Sequence, residues 1–394
     1  MVTITSAENA LKTLYLGVVS DQLNTKVNPL LAKIRQSTAD VWGKEIRKLV
    51  PYGANGGIGA GTEDGNLPTS AGNNYQQFCL TLKNLYGTIE ISDKAIRASA
   101  SNSGAFVNLL NAEMEGLIKA SKFNFGRMLF GDGSGKLAKI TAVSGNTLTL
   151  DNIKNVIEGM VIDCLTVSGS SYSPISSASN RRIISVDRVN KKITLDGSNF
   201  SSGTVIANDI ISVQGSYGKE ITGLEAIFGA STSLYGLNRA NNLWLTPKKV
   251  TAKEGVIDDM TIQAVVDELE DVAGSTANFI VCSSGVRRAY QNYLTSNRTN
   301  IDTINLEGGF KAISFNGIPI ITDRFCPSGT MYILNTDDFV LHQLCDWRWL
   351  EGDDGKVLKQ VAGKPVYTAT LVKYADLLCE RPSGQGVITG ITEA

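Results

Sequence analysis

Apolar residues recur at three- and four-residue spacing early in the chain: Leu11, Leu14, Tyr15 and Val18, then Leu23, Val27 and Leu30 around Pro29. That period predicts an amphipathic helical arm over 6–50. From Pro51 to Asn74 the sequence PYGANGGIGAGTEDGNLPTSAGNN offers glycine, asparagine and almost nothing apolar to anchor the backbone. A structureless stretch of this length is uncommon in a compact domain and marks function or disorder. Residues 75–92 then alternate, with Phe78, Leu80, Leu82, Ile89 and Ile91 apolar, which is strand patterning. Tip and flanking strands together read as one long hairpin. Ser103 to Phe130 is the strongest helix, with Phe106, Leu109, Leu110, Met114, Leu117, Ile118, Phe125, Met128 and Leu129 on one face. Such a helix is about 40 Å long, and Gly131 ends it.

Between 137 and 215 the period changes to short Val-, Ile-, Thr- and Ser-rich runs broken by turn residues. TLTLD at 147–151 returns as KITLD at 192–196, and GMVI at 159–162 returns as GTVI at 203–206, offsets of 45 and 44 residues. Two copies of one β-unit would close a small barrel or sandwich, since neither half buries its apolar face alone. After 216 the pattern is mixed. Asp258 or Asp259 can cap a helix carrying Ile262, Val265, Val266 and Leu269 that stops at Gly274. A buried strand follows at 278–282, then a helix through Arg287, Tyr290 and Leu294. From 310 to 380 the chain reads as strand after strand: KAISFNGIPIITD, GTMYILN, FVLHQL and TATLVKYADLLCE.

Length allows two or three domains at roughly 150 residues each. The 37 basic and 38 acidic side chains nearly cancel, which removes the long-range attraction of a protein built to coat DNA. Charged residues make up 19% of the chain against 42% hydrophobic, a balance suited to a surface largely covered by partners. Cys79, Cys164, Cys282, Cys326, Cys345 and Cys379 form no CxxC pair, and His342 is the one imidazole, which points to reducing synthesis and no zinc. The first twenty residues lack a basic stretch followed by an apolar core, and no apolar run approaches roughly 20 residues. Neither a signal peptide nor a membrane span is expected.

The stretch FGDGSGK, residues 130–136, invites a nucleotide. A P-loop would need glycine where Phe130 stands and a hydroxyl where Leu137 stands, so both ends fail. A dinucleotide fingerprint would need glycine at Lys136 and a preceding strand. A calcium loop starting at Asp132 would need oxygen ligands where Ser134 and Lys136 stand. The bland reading is a helix stop, with Gly131 left-handed and Asp132-Gly133 turning into a strand. His342 has no nucleophile pattern around it and reads as a satisfied or solvent-facing strand residue. Asp258-Asp259, Asp337-Asp338 and Asp353-Asp354 read as caps and solvated turns. Trp347-Arg348-Trp349 could stack bases or sugars, and reads better as a protein interface. The pairs Arg181-Arg182, Lys191-Lys192 and Lys248-Lys249 are too dispersed for a nucleic-acid site. No catalytic, cofactor-binding or metal-binding residues are assigned.

The order of these elements resembles the major capsid protein of tailed bacteriophages, the Hong Kong ninety-seven fold: an arm, a glycine-tipped hairpin, a long helix ending in LFGDGSG, and an α/β part. GGFKAISFNGIPIITDRFCPSGTMYILNTDDFVL, residues 308–341, is similar to the segment running from the axial domain back into the peripheral sheet. The resemblance implies an α+β chain divided as follows: N-terminal arm 1–50, extended loop (E-loop) 51–92, peripheral-domain (P-domain) spine helix 93–136, inserted β-domain 137–220, axial domain (A-domain) 221–340, and return to the peripheral sheet 341–394. It implies a structural subunit that assembles as hexamers and pentamers of an icosahedral shell, without cofactor or membrane. Portal, scaffolding and decoration proteins and non-specifically held double-stranded DNA would be its partners. The expected location is the virion, with assembly in the host bacterial cytoplasm. The early start of the arm implies a separate scaffolding protein or none, and no lysine–asparagine cross-linking pair falls on matching positions. An encapsulin-like compartment shares the fold, and a hydrolase with a β-rich accessory domain is the competing class.

Overall fold

The computed structural model describes residues 28–39, 41, 45–94, 103–169, 171–297, 303–305, 311–352, 355 and 357–394. The arm up to residue 27 and the Asp353-Asp354 pair therefore lie outside the described residues. The chain divides into two compact units. One comprises Lys83–Ala226 with Trp347–Val372, and the other Pro29–Leu82, Ile227–Asp346 and Lys373–Ala394.

The helical reading of 6–50 is corrected where the chain is described. Pro29–Lys33 (α1) is helical, but Arg35–Ser37 (β1) and Glu45–Tyr52 (β2) are strands. In β2, Ile46 and Val50 are buried while Arg47 and Leu49 are exposed. Pairing with Asn74–Thr81 (β3), in register from Glu45↔Thr81 to Tyr52↔Asn74, overrides the weak helical period. β2 and β3 form a two-stranded sheet of their own, and residues 53–73 cross its tip. After Leu82 the chain continues as Lys83–Ser92 (β4), which buries Leu85, Ile89 and Ile91 on alternate positions.

Helix α2 runs Ser103–Leu129. Met114, Ile118, Phe125, Met128 and Leu129 are buried, the stripe expected from the spacing. It does not end in a left-handed Gly131. Phe130 and Gly131 donate to the carbonyls of Arg127 and Met128 at 3.1 and 3.0 Å, tightening the last turn into three-residue bonds. The left-handed glycines are Gly133 and Gly135, with φ of +83° and +79°.

Seven strands follow: Lys136–Ser144 (β5), Thr147–Leu150 (β6), Val161–Ser168 (β7), Ser171–Pro174 (β8), Arg181–Asp187 (β9), Lys192–Leu195 (β10) and Ile210–Val213 (β11). The order β11-β5-β6-β10-β9-β7 closes through β11–β7 pairing into an antiparallel six-stranded barrel, with β8 attached to β7. Closure removes the sheet edges that a strand-rich domain must otherwise protect. Inside lie Ile140, Leu148, Leu150, Ile162, Ile183, Ile193, Leu195 and Ile211.

The barrel has an internal two-fold relation. The repeated strands β6 and β10 pair with each other, Thr149↔Lys192 and Thr147↔Thr194. Leu150 donates to the Lys191 carbonyl and Leu195 to that of Asn146. Asp151 Oδ1 accepts from the Lys139 amide and Asp196 Oδ1 from the Arg182 amide, both at 2.9 Å. The second half of the sequence repeat is misassigned, because GTVI at 203–206 is a turn. The counterpart of Gly159-Met160 is Asn208-Asp209: Gly159 donates to the Ile183 carbonyl and Asn208 to that of Ile140, both 2.9 Å. Gly159 and Asn208 share left-handed φ, +88° and +80°. Four extra residues in the second copy shift the alignment that the letters suggest.

Beyond Leu224–Phe228 (α3) comes a short hairpin, Ser233–Leu234 (β12) and Leu237–Asn238 (β13). A mixed seven-stranded sheet is then built from Lys248–Thr251 (β14), Phe279–Cys282 (β15), Thr303–Asn305 (β16), Lys311–Phe315 (β17), Ile318–Thr322 (β18), Met331–Leu334 (β19) and Gly386–Thr389 (β23), in the order β14-β23-β19-β15-β18-β17-β16. Asp259–Ala273 (α4) and Ser284–Ser296 (α5) share its core, with Val265, Leu269, Val286, Tyr290 and Leu294 packing among Ile280, Ile320 and Ile333. Asp258 caps α4 by accepting from the Thr261 amide at 2.7 Å, and Gly274 ends it at φ +57°, the stop signals present in the sequence. Phe339–Trp349 (β20) and Val366–Cys379 (β22) each pass from one unit into the other. β1 pairs parallel to β20, and β4 and Lys359–Gln360 (β21) pair with β22.

Candidate assembly elements

The hairpin is held along its root, the paired strands up to Tyr52, and free at its tip. Tyr52 stacks on Trp244 with centroids 5.2 Å apart, and Phe78 lies 5.8 Å from Trp244 and 5.2 Å from Tyr235. Tyr235 and Gly236 form the β12–β13 turn with φ of +50° and +83°, the primed geometry of a tight hairpin. A tyrosine tolerates that conformation only where its surroundings fix it. Here its carbonyl accepts from the Cys79 amide at 3.0 Å. Its hydroxyl accepts from the Cys379 amide at 2.9 Å and donates to the Leu377 carbonyl at 3.3 Å. Burial holds the Tyr235 phenol well above its ordinary pKa. Lys48 of β2 also pairs with Glu380. Replacing Tyr235 by phenylalanine strands the Cys379 amide, and a loss of about 1–3 kcal/mol in denaturant unfolding is expected. An unchanged midpoint would show that the hydroxyl is dispensable.

The tip has no comparable anchor. Asn55 donates to Asn73 at 2.9 Å and Gly57 to Asn55 at 2.9 Å, while Ile58 and Leu67 are 83% and 90% exposed. A lone two-stranded ribbon is marginal in water, and these bonds are exposed.

At the other candidate, FGDGSGK, the structure places a junction. Asp132 Oδ1 accepts from the Ser134 amide at 2.8 Å and from its hydroxyl at 2.6 Å, a local turn. The chain leaving the barrel closes over it, with Gly218 donating to the Ser134 carbonyl at 2.7 Å. Lys136 is exposed. A Cβ on Gly223 would fall 2.3 Å from the Met128 carbonyl oxygen and 2.6 Å from that of Gly131, so only glycine seats the outgoing chain on the helix end. Beside it Arg127 forks onto Glu220 at 2.5 and 2.9 Å, and also donates to Asn124 Oδ1. Both partners of this pair are almost fully buried, at 3% and 2% exposure.

The remaining chemical candidates are absorbed by structure. His342 is buried on β20 beside Ser37, so the solvent-facing alternative is excluded. Trp347 and Trp349 are 7% and 4% exposed, which corrects their reading as interface residues. Strand alternation turns both inward and only Arg348 outward, and Trp347 meets Phe125 edge-on at 6.3 Å. Asp259 accepts from the Tyr290 hydroxyl at 2.6 Å, and Asp338, its carboxyl pushed up by burial, accepts from Gln385 at 3.0 Å. Arg181 donates to the Asp196 carbonyl, Lys191 to that of Asp151 and Lys249 to that of Gly229, while Lys248 pairs with Glu268. Among the described residues no group of three or more metal-ligating side chains is placed to hold an ion, and no helix is long and apolar enough to cross a membrane. Tyr235, the Arg127–Glu220 pair and the Lys373 cluster treated below carry no local sequence signal.

No protein-family model and no curated protein sequence matches the chain. Solved structures do. A subunit of the cyanophage A-1(L) capsid is similar at a TM-score of 0.57 and 12% identity, with 93% of each chain covered. The SrpI encapsulin of Synechococcus elongatus follows at 0.47 and 10%, covering 95% of each chain. Mycobacterium phage Bobi gives 0.47 and 9%, over 92% of this chain and 90% of that one. The cyanophage match runs nearly end to end and defines the fold: the chain has the α+β capsid fold of tailed bacteriophages.

Proposed function

We propose that the chain is the major capsid protein of a tailed bacteriophage, a structural subunit without catalytic activity. In hexamers and pentamers it closes an icosahedral head around double-stranded DNA, after assembly in the bacterial cytoplasm. The observation that carries this reading is the hairpin, rigid at Tyr52, Phe78 and Trp244 and bare from 53 to 73, on a capsid fold. A segment that buries so little of itself gains order by lying on a neighbour. In this reading the extended loop is the β2–β3 ribbon with its tip, 45–81 in place of the 51–92 expected from the sequence, α2 is the peripheral spine, the barrel an inserted domain, and the sheet with α4 and α5 the axial domain. Near-zero net charge suits edge-to-edge packing and a DNA contact that is local and non-specific. Portal, scaffolding and decoration proteins complete the expected partners.

Expression followed by negative-stain microscopy tests this. Closed shells or capsomer rings tens of nanometres across are expected, and a discrete monomer or small oligomer would sink the proposal. Native particles filled with protein cargo and lacking DNA would instead mark an encapsulin-like compartment.

A further inference from the structure

Lys373, on β22, is 2% exposed. Its Nζ donates to Asp346 Oδ1 at 2.6 Å and to Gln343 Oε1 at 2.7 Å, both on β20. Gln343 is itself 6% exposed, and its Nε2 donates to Gln36 Oε1 on β1 at 3.3 Å. That bond turns the amide so that its carbonyl oxygen faces the lysine. An amine, an acyl group and a carboxylate that can move protons are thus fixed together in one packed site.

We propose that Lys373 and Gln343 are an isopeptide-forming pair, joined by attack of the lysine amine on the glutamine amide with Asp346 as proton relay. The Nζ–Cδ bond forms and the Cδ–Nε2 bond of Gln343 breaks. Of its three protons Nζ keeps one; the other two pass by way of Asp346 to Nε2, which departs as an ammonium ion. Asp346 ends as the carboxylate it began as, and no oxidant or co-reactant is needed.

Three physical factors favour the step. Amide exchange is slow between free molecules, but well-oriented intramolecular partners reach effective molarities of about 10⁵–10⁸ M. Burial lowers the Lys373 pKa, against the opposing pull of Asp346, and so favours the neutral amine that can attack. The Asp346 side chain is 33% exposed, so the relay is in reach of water. The product would tie β20 to β22 covalently, in addition to their place in the sheet. This inference does not depend on the shell reading.

Intact-mass spectrometry of the full-length chain, denatured after purification, decides it. The expected mass is about 17 Da below that of the sequence, the loss of ammonia, with a protease fragment joining the Gln343 and Lys373 peptides. Lys373→Arg should restore the full mass, and so should Asp346→Asn, which keeps amine and amide but removes the relay. A wild-type chain at full sequence mass after prolonged incubation overturns the proposal without recourse to any variant. A deficit of about 18 Da with the link at Asp346 would overturn the assignment of Gln343, since water and not ammonia would have left. An unchanged deficit in Asp346→Asn would remove Asp346 from the step.

Discussion

Deleting residues 55–72 should abolish shell formation while leaving the subunit folded. The ladder of the hairpin ends at Tyr52↔Asn74, so the deletion leaves Gly53, Ala54 and Asn73 between paired strands. Three-residue loops are common in hairpins, and Gly53 already adopts φ +68°. Nothing that anchors the root is touched: Tyr52, Phe78, Trp244 and the Cys79–Tyr235 bond all remain. The excised residues contribute exposed side chains such as Ile58 and Leu67, whose removal costs the monomer little. Circular dichroism and the unfolding midpoint should therefore match the full chain, whereas negative stain should show unassembled subunits. Normal shells from the deletion would refute the role given to the tip. A collapsed spectrum would show instead that the tip stabilises its own subunit.

The contrast between root and tip explains what sequence reasoning could and could not reach. The Gly/Asn run of 51–74 was legible because composition alone denies it a core. The α2 stripe and the Asp258–Gly274 helix were legible because period and caps are local signals. β2 was hidden because its strand character comes from pairing with β3, across the tip, and its apolar positions Ile46, Leu49 and Val50 fit two periods. Gly131 misled because three glycines crowd one turn: the last helical turn carries Gly131 on a three-residue bond to Met128, and the positive φ falls on Gly133 and Gly135. The barrel repeat was half legible: TLTLD and KITLD share letters and bonds, while Gly159 and Asn208 share only a conformation. Long-range pairs such as Arg127–Glu220, 93 residues apart, leave no pattern at all.

That pair carries the other large expected effect. Glu220→Gln keeps the shape of the side chain and removes its charge, leaving the Arg127 guanidinium buried with only Asn124 and a neutral amide to face. Breaking a buried ion pair from one side costs about 3–5 kcal/mol, because the surviving charge stays desolvated. The double replacement Arg127→Met with Glu220→Met removes both charges, and its cost should fall well below that of the single change. The sign of this difference is the informative quantity, since an exposed pair would give near-zero values throughout. Urea unfolding of Arg127→Met, Glu220→Met and the double replacement closes the cycle and gives the coupling directly. The location makes the loss matter beyond its size: Arg127 sits in the last turn of α2, and Glu220 lies between Gly218, which bonds Ser134, and Gly223, which seats against Met128 and Gly131. Both barrel connections meet at this point. Proteolysis of Glu220→Gln should therefore cut first within 131–135 or 214–223 and release the closed barrel as a resistant fragment. Loss of the barrel core together with the junction would show that the two unfold as one.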